Sequence, residues 1–350
     1  MSRNRRPEPA SRRRGATAPA AARAESEPDL PSSSEASSGP VVGASVDLGS
    51  NSVHLLVAGV TGHRIAPLID RSVFLGLGSA VAERGYLGRE ARAELSATLA
   101  EYADLARGLG ARHVTFLGTE PLRRAADAAV AVQEVMTAAG APLFVLSHEE
   151  EAYLTIIGVT EGLPVTQETL VVDIGGGSSE FCVVDALRPP RAAGLRVGSA
   201  RLTDRFAEHD PPSAAELSAM RAAAFEVIRL APQAQPREIV AVGGTATNLL
   251  KILPEAAADR ILTRERIGQA QAILATESAA AASVRHGVKP MRARQLPAGG
   301  AILDAILERY GADRVRVSDA GIREGVILAV EHGGRSWRDR LPELAHGWRT

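Results

Sequence analysis

From Val41 onward short apolar runs alternate with small, glycine-rich or acidic clusters. VVGASV leads into DLGSNS, HVTFLG into TEPLRR, LFVL into SHEEEA, LVVDI into GGGSSE, and EIVAV into GGTATN. Apolar runs of this length that stop at Gly or Asp read as buried strands ending in turns. Between them lie stretches with helical spacing. Residues 88–109 align Leu95, Leu99, Tyr102, Leu105 and Leu109, and residues 213–230 and 265–283 are similar. The alternation predicts an α/β protein, with ligands bound beyond the carboxyl ends of its strands. That edge collects nearly all the glycine, hydroxyl and acidic clusters.

An internal echo sharpens the prediction. DLGSNS at 47–52 and DIGGGS at 173–178 share one pattern of Asp, aliphatic, Gly, two small residues and Ser, and each is followed by a second β-prone run. A strand, a glycine turn and a second strand, present once per half, predicts two related lobes that each offer a hairpin loop to a shared cleft.

Composition limits the remaining choices. Residues 1–40 carry seven arginines, six prolines and almost no large apolar side chain, so they are expected to be a disordered tail. The chain as a whole is 45% hydrophobic and 23% charged, as in ordinary globular proteins. A net charge of −1 provides no global field for nucleic acid or an anionic membrane, and aromatics at 3% argue against base-stacking surfaces. Neither partner is expected. The single cysteine, Cys182, excludes an internal disulfide and a Cys-based zinc site. Without about 18 consecutive apolar residues or a signal-peptide segment, a cytoplasmic location is expected.

The loops suggest phosphate chemistry. Glycine turns let backbone N–H groups converge on an anion, and neighbouring hydroxyls add donors. Gly49, Ser50, Asn51 and Ser52 form one candidate cradle, and Gly175, Gly176, Gly177 and Ser178 the other. Either alone reads equally well as a tight hairpin; the pair together with Gly243, Gly244 and Thr245 points to phosphate. Asp47 and Asp173, at strand ends before the turns, are candidate Mg²⁺ ligands, or else cap their own loops. Glu120 and Glu149 follow strands ending on the same edge. Two carboxylates beside phosphate require a cation or proton chemistry, a combination suited to hydrolysis. The acidic run 149–151 is also the composition of a helix's first turn. Arg123 is counted with the phosphate-binding residues. The cluster Arg285, His286, Lys289, Arg292 and Arg294 is either a polyanion track or a solvated face. No P-loop, dinucleotide fingerprint, H-E-x-x-H or G-x-S-x-G motif occurs.

The ordered series VDLGSNSVHLLV, RSVFLGLG, GTEPLRRA, SHEEEAYLTIIGV, LVVDIGGGSSEF, RVGSARLTDRF, VAVGGTATNLL, RARQLPAG and DAGIREGVILA resembles the exopolyphosphatase and guanosine pentaphosphate phosphohydrolase family, over about residues 43–332. The resemblance implies a duplicated ribonuclease-H-like fold of the actin-like ATPase superfamily, two lobes around a central cleft. Lobe I would span 41–165 and be completed by a C-terminal helix at about 321–335, lobe II would span 166–320, and 336–350 would be a C-terminal tail. The implied activity is Mg²⁺-dependent hydrolysis of the terminal phosphoanhydride of inorganic polyphosphate, or removal of the 5′ phosphate of pppGpp. A polyphosphate or alarmone sensor without turnover is a further alternative, and homodimerisation is an open expectation. By the same resemblance Glu120 looks like the water-activating base, Glu149 like its metal-associated partner, and 50–52, 175–178 and 243–245 like the phosphate loops. His148 stands where the family usually has Gly, and Arg294 where an acidic residue is common. Longer relatives carry a C-terminal helical domain; its expected absence here suggests a preference for short chains.

Overall fold

The computed structural model describes residues 40–349; the arginine-rich segment expected to be a tail lies outside them, apart from Pro40. Along the chain run β1 (Val41–Leu48), β2 (Ser52–Thr61), β3 (Arg64–Phe74), α1 (Leu77–Arg84), α2 (Arg89–Gly108), β4 (His113–Gly118), α3 (Glu120–Arg124), α4 (Ala128–Ala139), β5 (Leu143–Val145) and α5 (His148–Thr160). There follow β6 (Thr169–Ile174), β7 (Ser179–Val184), β8 (Arg191–Leu195), α6 (Ser199–Phe206), α7 (Ala214–Ile228), β9 (Glu238–Val242), α8 (Gly243–Ile252), α9 (Pro254–Asp259), β10 (Ile261–Thr263), α10 (Arg264–Leu274), α11 (Ala279–His286), α12 (Pro290–Tyr310), β11 (Arg314–Val317), α13 (Ile322–Gly333) and α14 (Leu341–His346).

The strands form two sheets, ordered β3-β2-β1-β4-β5 and β10-β11-β9-β6-β7-β8. In the first, β1, β2 and β3 are antiparallel neighbours, and β4 and β5 continue parallel to β1. In the second, β6, β7 and β8 repeat the antiparallel trio, β9 and β11 are added in parallel, and β10 pairs antiparallel at the edge. Removing β10 leaves the same strand order in both. This is the duplicated, two-lobed α/β arrangement that the two hexamers predicted.

Each sheet buries one face against its own helices. Val46, Leu48, Val53 and Phe116 pack with α2 and α4 residues such as Leu95, Leu99 and Val135. Val172, Phe181, Val183 and Ala241 pack with Met220, Leu249 and Ile302. The opposite faces of both sheets share a third apolar cluster with α5 and α13, including Leu56, Val171, Cys182, Ile156 and Val326. Cys182 is a small core residue, its thiol pushed up to about 12 by burial. Helix α13 comes within backbone contact of α5: a Cβ on Gly325 would stand 1.8 Å from Leu154 O. Helix α13 therefore returns to the first half of the chain.

Three local differences from the sequence reading have clear causes. The stretch 265–283 is two helices, because the Ser278 hydroxyl accepts from Ala281 N and starts α11 anew. Strand β3 lies at a sheet edge with most positions exposed, so it carries no apolar run. The segment after 335 is not a trailing tail: Trp337, Leu341, Leu344 and Ala345 are buried in the shared cluster. Among the described residues no helix is long and apolar enough to cross a membrane.

Candidate active site

The two glycine turns are built alike. Gly49 N–H donates to Ser52 O at 3.1 Å, and Gly175 N–H donates to Ser178 O at 3.0 Å. In each, the turn carbonyls are held from outside. Ser50 O accepts from Gly78 N (2.7 Å), and Asn51 O accepts from Leu75 N and Gly76 N. Gly175 O accepts from Ser199 N, Gly176 O from Arg201 N, and Gly177 O from Arg201 Nε at 2.8 Å. With their carbonyls tied back, the N–H groups of Ser50, Asn51, Gly176 and Gly177 donate to no backbone carbonyl among the described residues. The turns meet: a Cβ on Gly176 would lie 3.4 Å from Asn51 Nδ2 and 3.5 Å from Ser50 Cβ. Asn51 Nδ2 also donates across to Gln295 Oε1 at 3.1 Å. Beside them the first turn of α8, Gly243 to Thr245, begins without a side-chain cap, so its N–H groups are open as well.

Glu120 sits where these turns converge. Thr119 Oγ1 bonds Leu48 O at 2.9 Å and Pro121 occupies the start of α3, which fixes the acid at the helix N-terminus beyond β4. The side chain is buried, with Arg124 Nη1 at 2.9 Å and Arg201 Nη2 at 2.8 Å from Oε1, and Ser50 Oγ at 3.4 Å from Oε2.

The acidic run after β5 divides its labour differently from the sequence reading. Ser147 and Glu150 form a capping box, with Glu150 N to Ser147 Oγ at 3.1 Å and Ser147 N to Glu150 Oε2 at 2.7 Å; Glu150 also pairs with Arg338. Glu149 is exposed, unlike the buried Glu120. Helical rotation turns Glu151 inward instead, where it is 5% exposed and bonds Arg123. Glu180 of β7 faces it from the second sheet, also 5% exposed. Burial pushes both carboxyls upward, and their mutual repulsion adds to the rise at Glu151.

His148 completes this group. Its Nδ1 lies 2.8 Å from Glu180 Oε1 and 3.0 Å from Arg123 Nη2, and burial followed by the Arg123 charge lowers its pKa. The ring fills the space over Gly194, where a Cβ would come within 2.2 Å of it. His148, Glu151 and Glu180 have metal-ligating spacing, but the guanidinium of Arg123 already supplies the cation among them. Arg123 is therefore committed to Glu151, His148 and Leu146 O (2.8 Å) rather than free for phosphate.

Asp47 and Asp173 lie at matching strand ends, opposite His54 and Glu180 respectively. Burial raises Asp47 to about 7, with repulsion from Asp173 second, and raises Asp173 to about 6; Arg323 and Arg292 oppose the rise at Asp47, and Arg292 alone at Asp173. Asp47 Oδ1 is buried with no hydrogen-bond partner. Two half-buried carboxylates, the charge of Asp173 acting on Asp47 and one Asp47 oxygen without a partner, are a donor set that suits a hard divalent cation such as Mg²⁺.

Three members of the basic cluster after 284 are paired internally. Arg285 and His286 pair with Glu277, and Arg294 clasps the loop after α6 through His209 O, Ala207 O (2.9 Å) and Asp210 (3.6 Å). Arg292 turns toward the site, its guanidinium close enough to Gly244 that a Cβ there would meet it at 3.2 Å, and the charge of exposed Lys289 reaches His54, which pairs with Asp47 across β1 and β2.

Sequence reasoning missed Glu151, Glu180, Arg201 and Gln295, and singled out Arg292 only as one of a basic cluster. The S-x-x-E capping box was a usable signal for the first, since it assigns Glu150 to the helix cap.

Residues 56–333 match the Ppx/GppA phosphatase family, most of the chain and all the motifs above except the β1 turn. The chain belongs to that family. Among curated relatives, exopolyphosphatase 1 of Mycobacterium leprae is 27% identical over 296 residues, covering 81% of this chain and 87% of that one. The guanosine-5′-triphosphate,3′-diphosphate pyrophosphatase of Vibrio vulnificus is 28% identical and covers 85% of this chain but 60% of its own length. Among solved structures, the Aquifex aeolicus Ppx/GppA family member superposes with a TM-score of 0.74 at 27% identity, over 84% of this chain and 99% of that one. An exopolyphosphatase from Cytophaga hutchinsonii shares the fold, with a TM-score of 0.75 at 22% identity, over 83% and 98%.

Proposed function

We propose that this member of a phosphohydrolase family is an exopolyphosphatase, cleaving the terminal phosphoanhydride bond of inorganic polyphosphate. The observation that carries the reading is the facing pair of glycine turns, closed by equivalent hydrogen bonds, with open amides on both sides of a buried glutamate. Amides of Ser50, Asn51, Gly176 and Gly177 and the first turn of α8 bind the terminal phosphoryl oxygens and stabilise their charge in the transition state. Glu120 orients a water and takes its proton as the water oxygen bonds to phosphorus. The bridging P–O bond breaks, and the shortened chain leaves as an anion that needs no protonation at neutral pH. Asp47 and Asp173 would hold Mg²⁺, which neutralises phosphate charge when bound. Glu151 and Glu180 act on a different level: with Arg123 and His148 they join the two sheets beside Glu120. A cytoplasmic setting belongs to the same proposal, motivated by one buried, unpaired thiol.

Similarity to the Vibrio pyrophosphatase supports a second reading, hydrolysis of the 5′ phosphate of pppGpp. Phosphate release from polyphosphate, pppGpp and ATP, measured on one preparation with Mg²⁺, separates the two. Polyphosphate is expected to be the best substrate; faster release from pppGpp replaces the first reading with the second, and ATP as best substrate defeats both.

A further inference from the structure

Two arginines hold Glu120, and they belong to different parts of the fold. Arg124 lies one turn along from the acid on the same helix. Arg201 reaches the same carboxylate oxygen from α6, across the boundary between the sheets. The other bonds of Arg201 run to the turn after β6, its N–H to Gly176 O at 3.0 Å and its Nε to Gly177 O at 2.8 Å. Ser199, two residues earlier, secures α6 to the same turn through Gly175 O. Arg201 is thus bonded twice to the glycine turn and once to the acid.

The arrangement leaves no room for a phosphoryl group between them. A Cβ on Gly177 would already stand 2.7 Å from the Glu120 carboxyl carbon. A phosphoryl group with its attacking water requires acid and turn to separate, and Arg201 moves with the element to which it is more firmly bonded. We infer that Arg201 is a phosphoryl-contacting residue, which exchanges the Glu120 carboxylate for the phosphoryl oxygens held by the Gly176–Gly177 amides when substrate enters. Arg124 stays with Glu120.

The exchange has two chemical effects. A charge-assisted bond from a guanidinium already anchored at Nε reaches the phosphoryl group at little ordering cost. At the same time Glu120 Oε1 loses one of its two cationic partners and gains a lone pair for the water proton. Burial and the charges of Arg124 and Arg196 disfavour the Arg201 cation and the Glu120 carboxylate offsets them, so an incoming anion takes over that offset once Glu120 moves away. The inference rests on the hydrolase reading for where the phosphoryl group binds.

The test uses the full chain and a methylene-bridged triphosphate, which cannot be hydrolysed, titrated calorimetrically with Mg²⁺ present. Arg201→Gln is expected to weaken binding about 10- to 100-fold, the range for a hydrogen bond to a charged group. Arg201→Lys should fall between, and Arg124→Gln should bind within about twofold of the parent while turning over more slowly. A folded Arg201→Gln that binds as well as the parent overturns the inference, as does an equal loss in Arg124→Gln. If Arg201→Gln does not fold, unchanged affinity in Arg201→Lys is the overturning result. Parent protein that binds the analogue but releases no phosphate from triphosphate refutes the hydrolase reading alone. Turnover with binding indifferent to Arg201 refutes only this inference.

Discussion

Gly177 presses against Glu120, leaving less than a carbon's van der Waals contact between the turn of one half and the acid of the other. Gly177 is not among the glycines with positive φ, so alanine is sterically the only problem there. Gly177→Ala is expected to fold and to put its methyl group into the space between turn and acid that the phosphoryl group and its water need, lowering kcat by about 100-fold, the typical effect of misplacing a reacting group by 1 Å. Unchanged kcat with a normal circular dichroism spectrum would show that the phosphoryl group does not bind between Gly177 and Glu120.

Two neighbouring acids of α5, Glu149 and Glu151, should separate cleanly in amide scans beside Glu120. Glu120→Gln should lose about 10²- to 10⁴-fold in phosphate release, the range for a general base. Glu149→Gln, at an exposed position, should leave release unchanged. Glu151→Gln should alter activity through Arg123, which loses its main partner. A large loss in Glu149→Gln contradicts the assignment.

The raised Asp47 and Asp173 make stability depend on pH in a defined direction. Their folded pKa values, about 7 and about 6, lie above the ordinary carboxylate value, so the folded state binds protons more tightly. Their stabilising contribution is complete below pH 3.8 and is lost as pH rises through about 6 and then about 7. Without divalent cation, Tm should fall by roughly 5 °C between pH 5 and pH 8, and Mg²⁺ should restore more of it at pH 8 than at pH 5. Asp47→Asn should flatten both trends in a scanning fluorimetry series. A Tm that rises steadily over this range in the parent, or Asp47→Asn curves matching it, contradicts the account.

Residues beyond 335 should matter for folding. Trp337, Leu341 and Leu344 each have at least 95% of their surface buried. Trp337→Ala should cost about 3–5 kcal/mol in urea unfolding, as for buried aromatics elsewhere. A change below about 1 kcal/mol would mean the segment is dispensable to the core.

Several features were open to reading from sequence because they depend on neighbours along the chain. The apolar runs ending in glycine located β1, β4, β6 and β9, and the two hexamers located the paired turns with Gly49–Ser52 and Gly175–Ser178 closures. Glu120 was found because it directly follows a strand end. Edge strand β3 and the short β10 and β11 were missed, since exposed or brief strands carry no sustained apolar period.

What the chain by itself determined was the alternation of elements, the duplication, the placement of glycine turns at one sheet edge and the family they belong to. Tertiary structure decided which side of α5 faces inward, making Glu151 the buried acid and Glu149 a surface one, because a rotation of 100° per residue becomes meaningful only once the helix is packed. It also decided that Arg123, Arg294 and Arg285 are spent on internal partners while Arg201 and Arg292 reach the site. A charge declares its partner only through distance, and residues 81 positions apart, as Glu120 and Arg201 are, acquire that distance only by folding.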